Sequence, residues 1–207
     1  NSGIFEIANQ DPVITEFTVN GASVGTGTSP SDKAWFNIPA NGSLNFSWNA
    51  TDDDLDYARL TNVPGSGSPS DDGPGTLSYG WNWSSGDFQE GEWGATLRVY
   101  DLSGHNDIST LYIGIDRTGP DIGTTSLGVG EQWVNTTQIS ISNLNVGATD
   151  NGMSGIERYE VRELGDLNWT NLGSSGSGTI NLENGVHTLE FRAIDKVGNL
   201  GESIQET

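Results

Sequence analysis

Asp116-Arg117-Thr118-Gly119-Pro120 ends one alternating run and precedes a fresh set of strand signals. Before it stands Leu111-Tyr112-Ile113-Gly114-Ile115, a stretch of β-formers. Gly-Pro breaks that periodicity, and Pro cannot donate to a sheet ladder, so the pentapeptide reads as the hinge after the last strand of a module. The rest of the 207 residues falls into two similar halves around it.

In the first half, residues 13–19 alternate and read as an opening strand. Residues 34–38 read as a short edge segment. In residues 43–49, Leu44, Phe46 and Trp48 share one face while Asn45, Ser47 and Asn49 share the other. An acidic loop, Thr51-Asp52-Asp53-Asp54-Leu55-Asp56, leads to a strand at 57–60. After a Pro/Gly/Ser-rich loop come strand-like runs at 76–83, 93–101 and 108–116.

The second half repeats the pattern. Residues 138–141 match the Leu44 strand, Ala148-Thr149-Asp150 matches Ala50-Thr51-Asp52, and residues 156–161 match 57–60. Short strands are expected at 169–172 and 179–182. Residues 186–195 match 93–101, placing Asp195 opposite Asp101, 94 residues away. That period fits an immunoglobulin-like module of about 100 residues. No window keeps a 3.6-residue apolar period, so no helix is expected. The reading is all-β: two tandem immunoglobulin-like β-sandwich domains, with an N-terminal strand at 1–10, domain 1 at 11–117 and domain 2 at 118–207.

Composition narrows the function. Hydrophobic residues make up 33%, so the core must be economical. Eight basic residues against 28 acidic ones give a net charge of −20. That charge repels phosphates, which argues against nucleic acid, and attracts cations. There is no cysteine, so loops must be held by packing or by metal ions. No stretch is long and apolar enough for a membrane-spanning helix.

Three segments carry a family resemblance: Asp116-Arg117-Thr118-Gly119-Pro120, Asp150-Asn151-Gly152-Met153-Ser154-Gly155-Ile156, and Ala193-Ile194-Asp195-Lys196-Val197-Gly198-Asn199. They resemble the hinge and loop motifs of tandem Ig-like repeats of bacterial and archaeal cell-surface proteins. The resemblance covers residues 121–207 well and 11–115 more loosely, since Gly104-His105 stands where the motif has Gly-Asn. It implies a cell-surface or extracellular role as spacer, adhesin or lattice component.

In such a sandwich the incoming linker and three loops meet at one end. For domain 1 this gathers Asp11, Asp52, Asp54, Asp56, Asp101 and Asp107; for domain 2, Asp116, Asp121, Asp150, Asn151 and Asp195. Two readings stand. These side chains cap their own turns, or they supply the oxygens that Ca²⁺ requires and stiffen the hinge. Asn-X-Ser/Thr sequons at Asn41, Asn45, Asn49, Asn82, Asn135 and Asn168 are candidate glycosylation sites. Trp81, Trp83 and Trp93 either pack in the cores or form a flat sugar-binding face. His105 and His187 lack the partners of a triad or a zinc site, and no catalytic constellation stands out, so an enzyme is not expected.

The functional expectation is a structural component of an extracellular assembly, such as a surface layer, filament or adhesin stalk. Its partners would be copies of itself or neighbouring Ig-like modules. The alternative is a carbohydrate-binding module using exposed Trp. Aligning Pro12 with Pro120 sets Ile4, Phe5 and Ile7 against the end of a closing strand. They would belong to a preceding module, insert into a neighbouring subunit as a donated strand, or fold back on domain 1. At the other end, domain 2 is expected to stop before its closing strand is complete.

Overall fold

The computed structural model describes residues 9–22, 24–39, 42–64, 70–71, 78–84, 89–122 and 136–206, with backbone alone for 70–71 and 78–84. The chain divides into two compact units, Asn1–Gly114 and Ile115–Thr207. Both are all-β, and among the described residues there is no helix.

The strands of the first half are β1 (Val13–Asn20), β2 (Ala34–Phe36), β3 (Ser43–Thr51), β4 (Leu55–Thr61), β5 (Ser70–Asp71), β6 (Ser78–Ser84), β7 (Gly91–Asp101) and β8 (Asn106–Ile115). One sheet has the order β1-β3-β6 and the other β2-β8-β7-β4-β5. The chain crosses between the sheets at β1–β2, β2–β3, β3–β4, β5–β6 and β6–β7, as in an immunoglobulin-like sandwich, while β4–β5 and β7–β8 stay within one sheet. The alternation in β3 is realised: Leu44, Phe46, Trp48 and Ala50 are buried. Ala58 and Leu60 of β4, with Ala95, Leu97 and Val99 of β7, supply the facing layer.

The second half has β9 (Gln138–Ile141), β10 (Ile156–Glu163), β11 (Thr170–Gly173), β12 (Gly178–Asn181), β13 (Leu189–Asp195) and β14 (Ile204–Glu206). Strands β12 and β9 pair, and the other sheet runs β11-β10-β13-β14. Ile122, Ile141, Leu144, Tyr159, Val161, Leu172 and Phe191 lie in one buried cluster.

One expectation changes here. The strand expected from residue 186 begins at Leu189, because β10 ends at Glu163, opposite Leu189, and Val186 is exposed. At the far end, a three-residue strand, Ile204–Glu206, pairs with β13 through Leu189↔Glu206 and Phe191↔Ile204. Ile4, Phe5 and Ile7 lie outside the described residues.

A loop stitched to β8 shows why a glycine sits at position 114. Tyr112 N–H donates to the Gly27 carbonyl at 2.8 Å, and Trp35 N–H to Val24 O at 2.8 Å. These bonds lay the Trp35 ring over Gly114, where a methyl group would lie 2.4 Å from a ring carbon. Gly114→Ala should therefore lower the stability of the first unit by about 1–3 kcal/mol through overpacking. A Gly→Ala change in an unstrained site stabilises by about 0.4–1 kcal/mol instead. Urea unfolding decides: an unchanged or higher midpoint would show that Trp35 is not seated there.

Candidate functional site

The same turn is built twice. After β7, the N–H groups of Ser103 and His105 donate to Asp101 Oδ1 at 2.9 and 2.7 Å. After β13, those of Val197 and Asn199 donate to Asp195 Oδ1 at 3.0 and 2.8 Å. Gly104 and Gly198 both take φ of 89°, the left-handed backbone that a side chain would strain. Each aspartate thus caps its turn with one oxygen and keeps Oδ2 for other work.

In the second unit that work is shared. Asp116 and Asp195 are completely buried, Asp150 is half-buried, and one carboxylate oxygen of each lies within 4.8 Å of the others. Asn199 Nδ2 donates to Asp195 Oδ2 at 2.7 Å and contacts Asp116 Oδ1 at 3.3 Å and its carbonyl at 3.2 Å. The 150–155 loop folds its donors inward. Ser154 N–H reaches Asp116 Oδ2 at 3.0 Å, Gly152 N–H reaches Asp150 Oδ1 at 3.1 Å, and Gly155 N–H reaches Asp150 Oδ2. Gly152 leaves no room for a side chain, since a Cβ would lie 1.7 Å from Asp116 Oδ1. Burial raises the carboxyls of Asp116 and Asp195 above their ordinary values, against the hydrogen bonds that favour the anions. An all-oxygen set of close, buried carboxylates is one that could hold a hard cation.

In the first unit the counterpart gathers Asp52, Asp54 and Asp101. Asn9 Nδ2 sits among them, 3.3 Å from Asp54 Oδ2, 3.0 Å from Asp101 Oδ2 and 2.9 Å from Ser103 Oγ. His105 takes the place of Asn199, its Nδ1 lying 2.8 Å from Asp101 Oδ2. That hydrogen bond and the charge of Asp101 raise the imidazole's pKa. At Asp101 burial pushes upward, but the bonds from His105 outweigh it and the carboxyl lies below its usual range. Asp54 is raised, first by its hydrogen bond with Asp52 and then by burial. Its Oδ1 is buried without a hydrogen-bond partner among the described residues.

The other candidates sit elsewhere. Asp11 is exposed, 3.9 Å from His105. Asp107 accepts from Ile14 N–H at 2.8 Å. Asp56 is half-buried on β4, outside the three-carboxylate group. Asp121 pairs through its backbone with Thr149, and Asn151 is exposed. Among the sequons, Asn45 and Asn168 are exposed; Asn49 is half-buried with its amide on Glu16. Asn82 lies on β6, and Asn41 and Asn135 fall outside the described residues. The side chains of Trp81 and Trp83 are likewise outside them; Trp93 is half-buried.

Sequence reading missed the outer face of β10 and β13. There Glu160 faces Arg192 and Glu190 faces Arg162, opposite charges directly across the strands. Arg192 bonds Glu160 at 2.7 Å and Arg162 bonds Glu190 at 2.6 Å. The Trp169 ring is contacted by both guanidiniums, at 4.3 Å from Arg162 and 4.1 Å from Arg192. The register of β10 on β13 was the missing signal.

His187 borders this sheet. Its Nε2 lies 2.9 Å from the Glu183 carbonyl, which can only accept, and its Nδ1 lies 2.7 Å from Glu163 Oε1. Two acceptors call for two N–H donors, so the imidazolium is favoured and its pKa is raised, mainly by Glu163. A raised folded-state value stabilises fully below the ordinary value of about 6.5 and is lost as pH rises through the higher value. His187→Gln should therefore lower the melting temperature at pH 5.5 more than at pH 9. An equal loss at both would show that the ring is held as neutral imidazole.

No protein-family model matches the chain, and no curated protein matches it. Solved structures do. The fibronectin(III)-like modules of Clostridium thermocellum CbhA align over 92% of this chain and 91% of theirs, at 14% identity and a TM-score of 0.43. A structure of a 1.5-MDa bacterial ice-binding adhesin aligns over 97% of this chain and 65% of its own, at 11% identity and a TM-score of 0.47. A tetra-tandem repeat from the extending region of a large adhesion protein aligns over 94% and 49%, at 17% and 0.35.

Proposed function

We propose that the chain is a structural segment of an extracellular assembly, a filament, surface layer or adhesin stalk, in which Ca²⁺ stiffens the second unit. The observation that carries the reading is the convergence of Asp116, Asp150 and Asp195 in a loop set whose Gly152 packs directly on the Asp116 carboxylate. The donor set suits calcium: carboxylate oxygens without sulfur or imidazole, and carbonyls close by. Asp116, Asp150 and Asp195 would be the ligands. The cation would neutralise charge that burial penalises, and tie the start of the unit to two of its loops.

Chelation tests this. Ca²⁺ at a hundred times its dissociation constant adds about 2.7 kcal/mol to a folded state that alone binds it. Adding EGTA should therefore lower the melting temperature, and Asp150→Asn should remove most of the response. No shift with EGTA, and no calcium heat in titration calorimetry, would leave these aspartates as turn caps alone. The surface role is checked separately with antiserum on intact cells of the source organism. Labelling that appears only after lysis would overturn it.

Glycans on Asn45 and Asn168 fit this reading, since both are exposed sequons. Peptide mass spectrometry of native protein would show the added hexose mass.

A further inference from the structure

The outer face of β4 and β7 sets two arginines side by side in a chain with eight basic residues. Ala58 and Leu60, Leu97 and Val99 point into the core. Their neighbours Tyr57, Arg59, Arg98 and Tyr100 therefore occupy the other face. The register sets Tyr57 opposite Tyr100 and Arg59 opposite Arg98. The tyrosine rings stack with centroids 4.4 Å apart and planes inclined by 17°. Arg98 leans on Tyr100, its guanidinium carbon 6.0 Å from the ring centroid and Nη1 3.4 Å from the hydroxyl. Both arginines are exposed, and neither makes an ion pair among the described residues.

The contrast with the other basic residues gives this weight. Before Ile115 the chain has three, Lys33, Arg59 and Arg98. Lys33 is bonded to Glu92 at 3.2 Å. On the second unit's sheet, Arg158, Arg162 and Arg192 all have glutamate partners. Like charges directly opposite on neighbouring strands are destabilising. Placing two guanidiniums so, with 28 carboxylates in the chain to draw on, leaves a paired cationic site complementary to an anion.

We propose that this face binds an acidic polysaccharide through the carboxylates of its uronate sugars. The two guanidinium forks match carboxylates in bidentate geometry. The tyrosine hydroxyls are matched to sugar hydroxyls, and aromatic ring surface suits the C–H faces of a pyranose. The net charge of −20 selects the kind of polyanion. Nucleic acid, with a charge about every 1.7 Å of duplex, is strongly repelled; a chain with at most one carboxylate per sugar is repelled less. This inference is independent of the calcium reading, because the aspartates of that site are not used.

The test is titration of the full chain with hexagalacturonate in EGTA and low salt, with cellohexaose as the neutral match and a short DNA duplex as the other polyanion. Hexagalacturonate should bind, weaken with added salt, and weaken at least tenfold in the Arg59→Gln/Arg98→Gln variant. Lys33→Gln/Lys196→Gln removes the same charge elsewhere and should change affinity less than threefold. Circular dichroism confirms that both variants fold; removal of like-charge repulsion favours folding. Equal loss in the two variants, equal binding of cellohexaose, tighter binding of DNA, or no binding of hexagalacturonate would each overturn the proposal.

Discussion

A carboxylate with no exposure at the end of a core strand is the constraint on which both units turn. Asp195 is fully buried and Asp101 nearly so, at 2%. A buried charge is tolerated only when donors surround it. Here the following turn supplies them, and so the turn cannot be built otherwise. Two N–H groups must point back at Oδ1, and a glycine must take the left-handed conformation that reverses the chain. The second oxygen then recruits further side chains. In the second unit it takes Asn199, which carries on to Asp116; in the first it takes Asn9 and His105. One buried side chain therefore sets a turn, a loop cluster and the seat of the incoming segment.

Scarce apolar residues make such polar devices structural. On the second unit's outer sheet face, Glu160 and Glu190 are each 7% exposed, covered by arginines and by Trp169. Burial raises the carboxyl of Glu160, but hydrogen bonds from Arg158 and Arg192 outweigh it and hold the group below its usual value. Taking away one partner of such a group strands a buried charge, which is costlier than the pair is favourable. The matching face of the first unit has arginine opposite arginine, with no ion pair to either among the described residues. Two sheets of similar order thus use the same residue type in opposite ways.

What the sequence revealed depended on the range of the interaction. Period-two alternation marked Leu44, Phe46 and Trp48 as core because a strand's sidedness is local. The paired turns were legible because Asp, Gly and the next polar residue lie within five positions. Their partners were not: Asn9 meets Asp101 across 92 residues, and a lone asparagine in a loop carries no mark of that. Asp107 and Asp121 were grouped with the clusters on type and order alone, yet Asp107 spends its carboxylate on Ile14 N–H. The Trp169 stack needed the pairing of β10 with β13, information held by neither strand. Residues 186–188 alternated convincingly but had no strand beside them once β10 ended at Glu163.

The two acidic clusters differ at the turn position that follows the buried aspartate, and the chemistry follows directly. Asn199 is neutral at every pH, so its three aspartates face a dipole and no cationic side chain among their bonded partners. His105 occupies the same turn position, and the Asp101 carboxylate raises its pKa, so the first cluster carries its own positive charge when the ring is protonated. Asn9 adds an amide between the same carboxylates. The first unit thus answers its aspartates with side chains, and the second leaves the larger uncompensated charge. For that reason the proposed cation is assigned to Asp116, Asp150 and Asp195, although Asp52, Asp54 and Asp101 stand equally close together.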